Sequence, residues 1–348
     1  MAADKKLLMR AGVCLALLAF TVFPPHARSE TKNDSTTNQT IKINTFPGST
    51  INLPVWVMAD KGFCSQHGLA CETVDIPGAP LALQALTGGG LDIGVASTDV
   101  TMRAVSQGMH LRIVASEAPK DIFTLDVRRD IPLPHLKDGY PAVMQDLRGL
   151  RIGIAGRGST TEILTDALLL DAGMTGDDVT FVTAGSPATS YPMLLAKQID
   201  GAMMFEPFDT LCVIEKTCVT VVSLPKGEGP PAVRALNSSF LQFVTTDNFI
   251  AAHPAAVKAF IAALTEAIAW TKTPGNFENV VNIAKSHMKM GNVANPEAVI
   301  REAVKVEVSI LDPHVDREGV ANFSNFLLKF KMINNPVSAE KMIYAEAP

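Results

Sequence analysis

The thirty residues Ala79–Gly108 constrain this chain more than any other stretch. Pro80 opens a run in which Leu81, Leu83 and Leu86 recur at near-helical spacing, and proline suits a first helical turn. Gly88-Gly89-Gly90 ends that helix, because glycine enters φ > 0 without steric cost. Leu91–Ala96 then reads as a short apolar strand interrupted by Asp92 and Gly94. Ser97, Thr98 and Asp99 follow and start a second helix. Helix, strand and polar helix start in such close succession make an α/β unit with a small polar mouth. A hydroxyl at the C-terminal end of a strand, beside helix N–H groups that lack partners, is where open α/β sheets hold small ligands.

The same grammar recurs along the chain. Ile41–Phe46 alternates as a strand, and Pro47-Gly48-Ser49-Thr50 turns into a helix with Leu53, Trp56 and Val57 on one face, stopped by Gly62. Leu69–Ile76 and Leu111–Ala115 read as further strands, and Phe123–Val127 as a strand leaving the first unit. After a proline-rich loop, a second series begins: strand Leu150–Ala155, helix Thr160–Gly173, strand Val179–Thr183, helix Pro187–Lys197, strand Asp200–Phe205. Leu241–Thr245 reads as the return crossing. Beyond it Val257, Phe260, Ile261, Leu264 and Ile268 form a core-facing helical stripe, and more helices follow to about Lys331. The expected organisation is a first part of lobe 1 at 41–122, lobe 2 at 123–244, and a helical completion of lobe 1 at 245–348. Two crossings suit a hinge and a closing cleft.

Residues 1–29 read as a cleaved signal peptide: Lys5, Lys6 and Arg10 precede the apolar stretch Ala11–Phe23, and Ala27-Arg28-Ser29 offers small residues for cleavage. Residues 30–40 are polar and are expected to be a disordered leader. Removing 1–29 takes four of the 30 basic and one of the 35 acidic residues, leaving 26 and 34 and a net charge of −8. An acidic chain with no basic run is a poor nucleic-acid binder. Four cysteines remain, as two local pairs, Cys64 with Cys71 and Cys212 with Cys218. In an oxidising compartment they read as two disulfides; their spacing lacks the close C-x₂₋₄-C pairs of a zinc site. No metal and no cofactor is expected.

The candidate ligand contacts stand at strand ends: Ser49 and Thr50, Gly78, and Ser97 and Thr98 on one rim, with Arg157, Ser159, Thr160, Ser186 and Glu206 on the facing rim. Each hydroxyl also suits a helix cap. Gly156-Arg157-Gly158-Ser159-Thr160-Thr161 lets backbone approach a ligand and offers N–H and hydroxyl donors to anionic oxygens, with Arg157 able to pair a carboxylate, sulfonate or nitrate. It is not a P-loop, having no Gly-Lys-Ser/Thr. Asp99 is either a ligand contact or, the favoured reading, a first-turn acid placed by the helix dipole. The seven histidines are scattered, and no hydrolase or zinc-protease motif stands among them.

The run Ala85-Leu86-x-x-Gly-x-Leu91-Asp92-Ile93-Gly94 with Ser97 resembles the periplasmic solute-binding proteins of nitrate/sulfonate/taurine/thiamine-precursor ABC importers. The similarity extends to Leu53-Pro-Val-Trp56-x-x-Ala59-x-x-Gly62-Phe63-x-x-x-Gly68-Leu69, Arg151-Ile-Gly-Ile-Ala-Gly156 and Phe205-Glu206-Pro207, and covers about residues 41–275. The resemblance implies an α/β, type II-like two-lobed binding protein with C-terminal helices on lobe 1. It implies a monomeric receptor that takes a small organic anion in its interlobe cleft and delivers it to a membrane ABC permease. An exported enzyme or a sensory receptor on the same fold is the alternative. The thiamine-pyrimidine synthase of the superfamily carries a cysteine-rich motif that this chain lacks.

Overall fold

A computed structural model of the chain describes residues 39–348. The expected signal peptide at 1–29, and the expected leader except for its last two residues, lie outside the described residues. Those two residues, Gln39 and Thr40, open the first strand.

The chain runs through β1 (Gln39–Thr45), α1 (Leu53–Asp60), α2 (Phe63–Gln66), β2 (Leu69–Asp75), α3 (Ala79–Thr87), β3 (Gly94–Ser97), α4 (Thr98–Ser106) and β4 (Leu111–Ala118). It continues into β5 (Thr124–Arg128), β6 (Arg151–Ile154), α5 (Thr160–Asp171), β7 (Thr180–Thr183), α6 (Pro187–Leu195), β8 (Gly201–Met204), α7 (Phe208–Ile214) and β9 (Cys218–Ser223). It returns through α8 (Pro231–Arg234) to β10 (Leu241–Thr246). Helices α9 (Asp247–Ala252), α10 (Pro254–Lys272), α11 (Phe277–His287), α12 (Pro296–Ile310), α13 (Arg317–Lys329) and α14 (Ala339–Met342) follow.

Two sheets result. In lobe 1, β1 pairs with β2 in parallel, Ile43 bridges Ile93 beside β3, and β10 lies antiparallel between β3 and β4. The spatial order is therefore β2-β1-β3-β10-β4. In lobe 2 the order is β7-β6-β8-β5-β9, with β5 antiparallel to both neighbours. The orders match position for position: each lobe holds a parallel trio, then one antiparallel strand supplied where the chain crosses between lobes, then an edge strand. The expected boundary at 244/245 falls inside β10, which belongs to the lobe 1 sheet. Both faces of β10 are covered, and Phe243 is buried against Phe260 of α10, ring centroids 5.4 Å apart. The buried stripe of α10 contains Val257, Phe260, Leu264 and Ile268, while Ile261 is only partly covered. α1 packs on α10 and α11.

Glycines act where the chain must turn. Gly62 takes φ +76° and separates α1 from α2. Gly48 takes φ +70°, and a Cβ there would lie 2.9 Å from Ala188 Cβ of lobe 2, so the lobes meet at a bare backbone.

Both expected disulfides are present. Cys64–Cys71 ties α2 to β2 and Cys212–Cys218 ties α7 to β9, with Cα separations of 6.0 and 4.8 Å. Each closes a short loop, so replacing either pair by alanine should lower the unfolding free energy by about 2.5 kcal/mol. Urea titration of the two variants checks this, and an unchanged midpoint would contradict it.

Candidate functional site

The strand C-termini of both lobes meet around a cavity of about 40 Å³. Phe46 follows β1, Ser97 ends β3, Ala155 follows β6 and Phe205 follows β8, and all four line it. Ile122 and Phe123, on the crossing from β4 to β5, complete one wall. Open α/β sheets present ligands at this end of their strands, because loops and helix N-termini converge there. A void this small holds a water or two. An organic solute therefore requires the lobes to separate.

Of the expected residues, the structure brings Gly78, Ser97, Ser159 and Thr160 into the wall. The hydroxyls of Ser97 and Thr160 contact one another across the cleft. Thr160 Oγ1 also donates to Asp99 Oδ1 at 2.9 Å, so one polar chain joins α4 of lobe 1 to α5 of lobe 2. Ser97 and Ser159 precede α4 and α5, yet neither side chain caps its helix. Ser159 Oγ instead meets Thr161 Oγ1 at 2.7 Å, and Thr161 Oγ1 accepts from Ala155 N at 2.8 Å. These hydroxyls are engaged beside the cavity and not on their own helix starts.

The other expected residues stand elsewhere. Ser49 is a cap: its Oγ accepts from Ile51 N at 3.2 Å and donates to Glu206 O at 2.8 Å, a second bond across the lobes. Thr50 donates to Glu307 Oε2 at 3.4 Å, and Thr98 to the carbonyl of Ser239. Ser186 is fully buried at the start of α6, its hydroxyl without a partner among the described residues. Arg157 is turned outward. Its side chain is 66% exposed, pairs with Glu162 Oε1 at 2.5 Å and stands over the Phe181 ring at 5.5 Å. Glu206 presents its carbonyl to Ser49 and its carboxylate to Thr210 N at 3.4 Å, and its carboxyl lies outside the cavity wall.

Behind the wall lies a set of buried acids, of which Glu206 was an expected contact and Asp121, Glu307 and Glu117 were not. Asp99 stands in the first turn of α4 as read, but it is 1% exposed, and desolvation raises its pKa against hydrogen bonds from Ser97 and Thr160. Burial pushes the Asp121 carboxyl up to about 8, with Asp99 adding to the shift. Burial pushes Glu307 up to about 8 and Glu206 to about 7, and the proximity of Glu206 adds to the rise at Glu307. Glu117 is raised by burial and by Glu307. The aromatic wall was also missed: Phe46–Phe205 and Phe123–Phe205 centroids are 5.9 and 5.7 Å apart, both edge to face. Phe46 and Phe205 stand at the same strand ends as the candidate hydroxyls, so the same rule could have found them.

A larger cavity of about 650 Å³ opens between α6, α7 and the loop from α11 to α12. It is mostly apolar. Its acid, Glu215, is already held by the N–H groups of Ala294 and Asn295 at 3.3 and 3.1 Å.

Residues 36–285 match the model of the NMT1-like family. The chain belongs to the NMT1-like family. A Brucella abortus relative, whose name gives it only a provisional binding role, is 28% identical over 61% of this chain. The chain spans 60% of that relative's length. The 4-amino-5-hydroxymethyl-2-methylpyrimidine phosphate synthase of Schizosaccharomyces pombe is 24% identical over 66% of this chain and 65% of its own. Among solved structures, the alkanesulfonate-binding protein of Xanthomonas axonopodis superposes with a TM-score of 0.67 at 16% identity, covering 88% of this chain and 98% of its own. That likeness shows this NMT1-like chain to have the fold of periplasmic binding proteins. No helix among the described residues is long and apolar enough to cross a membrane.

Proposed function

We propose that this chain is the receptor of an ABC import system. Exported to the periplasm, it captures a small solute between its two sheets and presents it to a membrane permease. The observation that carries the reading is the contact of Ser97 with Thr160, extended to Asp99, at the facing strand ends. A solute that displaces this contact gains donors and acceptors from both lobes at once, which is how a hinged pair of lobes senses its ligand. In this reading Gly78, Ser97, Ser159 and Thr160 are the contacts. Ser49, Thr50, Thr98, Ser186 and Glu206 support them from behind.

The finer reading, a sulfonate-, nitrate- or carboxylate-like anion, draws support from the alkanesulfonate-binding neighbour and from the starts of α4 and α5, whose hydroxyls do not cap them. The side chains add nothing to it. Arg157 is engaged by Glu162, and no Lys, Arg or His among the described residues lines the cavity. An enzyme on the same fold is favoured only by the similarity to the pyrimidine phosphate synthase.

Small-angle scattering with the solute found by a thermal-shift panel tests the clamp. The free chain hinges open to admit the solute and closes on it, so the radius of gyration should be smaller at saturation than in the free chain. Gly48→Val sets a side chain against Ala188 in a left-handed backbone, and it should hold the lobes apart and weaken the solute about tenfold, or about 1.4 kcal/mol. A wild-type chain of unchanged radius at saturation would sink the proposal.

A further inference from the structure

The cavity of about 650 Å³ has no lining residue in common with the cleft, and it has the size and the apolar character of a site for an organic molecule. Tyr191, Pro192 and Leu195 of α6 and Leu211 of α7 form its lobe 2 side. Met290 and Val293, on the loop from α11 to α12, form its lobe 1 side. Leu195 is 53% exposed, an apolar side chain held against water. Water in such a space finds few partners, and an apolar body that replaces it ends the contact between water and these side chains.

Most polar groups of this wall are already satisfied. The Tyr191 hydroxyl and Thr217 Oγ1 bond one another at 3.1 Å. Glu215 accepts three hydrogen bonds, from Ala294 N at 3.3 Å, Asn295 N at 3.1 Å and Asn295 Nδ2 at 3.3 Å. Lys289 is the other charged residue among those that line the cavity. It is exposed, and no acid pairs with it among the described residues. An ammonium group donates hydrogen bonds and accepts none. Asn292, also exposed, donates and accepts alike and so selects neither sign. The charge left unmet is therefore positive, and it stands beside solvent at the edge of an apolar interior.

From the apolar walls and the one unpaired cation we infer a second ligand site, separate from the cleft, that takes an amphiphilic monocarboxylate. The alkyl or aryl body lies between α6, α7 and the loop from α11 to α12. The carboxylate stays at the solvent edge with Lys289. Both lobes contribute walls, so the ligand touches lobe 1 and lobe 2 together.

Titration calorimetry on the purified chain at two temperatures, with decanoate, decylammonium and acetate below any micelle concentration, tests it. Decanoate should bind. Acetate, which lacks the apolar body, should give no heat, and decylammonium should bind about tenfold more weakly than decanoate. Ala196→Trp sets an indole in the cavity from an exposed position at the end of α6, and it should weaken decanoate about tenfold. Lys289→Gln should weaken it about threefold, the scale of a charge pair at the surface, and Lys289→Arg should restore it. Thermal melts of the variants confirm that they are folded. If decanoate binds and Ala196→Trp leaves it untouched, the ligand sits elsewhere and the inference falls, while the cleft reading stands. Equal affinity for decylammonium, or no effect of Lys289→Gln, overturns the carboxylate. No heat from decanoate at either temperature overturns the site.

Discussion

Raising the pH from 5 to 8 should lower the melting temperature of this protein, the reverse of ordinary acid denaturation. Asp121 and Glu307 titrate near 8 in the folded chain and Glu206 near 7, each raised chiefly by desolvation, while their ordinary values are 3.8 and 4.5. Asp99, Glu117 and Asp126 are raised in the same direction. Between about pH 4.5 and 8 the unfolded chain has released these protons and the folded chain still holds them. The unfolded state then binds fewer protons, so stability falls as pH rises. The stabilisation is complete below the unfolded values and is lost as pH climbs through the folded ones. For Glu206 alone the rise from 4.5 to about 7 amounts to roughly 3 kcal/mol. Asp130, Asp200 and Glu278, lowered by Lys197, Arg151 and Arg301 respectively, act in the opposite sense, but their loss comes at acid pH, below this window. Calorimetric melts from pH 5 to 8 should show a fall of several degrees, and Glu307→Gln should flatten it by removing one acid and relieving Glu117. A melting temperature that rises across this range would refute the assignment.

Phe243→Ala should cost roughly 3–5 kcal/mol, the largest single loss expected from a core truncation here. Phe243 is fully buried in β10, the strand that joins β3 to β4, and packs edge to face on Phe260 of α10. The cavity would therefore open between the sheet and the helix that covers it, where the neighbours are tied by strand hydrogen bonds and cannot collapse inward. Phe243→Leu refills most of the volume and should cost less than half as much. Guanidinium titration of both variants separates the two costs. Equal losses would show that ring geometry and not volume dominates.

Most elements were legible because their signals are local. Pro80 and Pro187 open α3 and α6 as their positions imply, and the glycine run closes α3. Cys218–Ser223 is the strand left unassigned, although its β-branched residues signal it. The site was less legible, because partners distant in sequence decide what a strand-end hydroxyl does. Ser49 and Ser97 look alike in sequence. Only the fold shows that one caps its turn and the other meets Thr160 across the cleft. Glu307 carried a readable signal: it continues the buried series Ile300, Ala303, Val304 on α12, an acid at a core position. Arg157 failed for the converse reason, since Glu162 five residues on outcompetes any distant partner.

The matched strand orders have a consequence for how the chain is made. Lobe 2 draws its five strands from one continuous stretch, β5 to β9, and can close as soon as Ser223 has emerged. Lobe 1 begins earlier and finishes later. Its strands β3 and β4 have no ladder between them until Leu241–Thr246 arrives, more than 100 residues after β4 ends at Ala118. Synthesis from the N-terminus thus completes the second lobe first and leaves the first lobe's sheet with a gap in its middle. A nascent chain in that condition has two unsatisfied strand edges facing an empty slot, and only one later segment has the register to fill it.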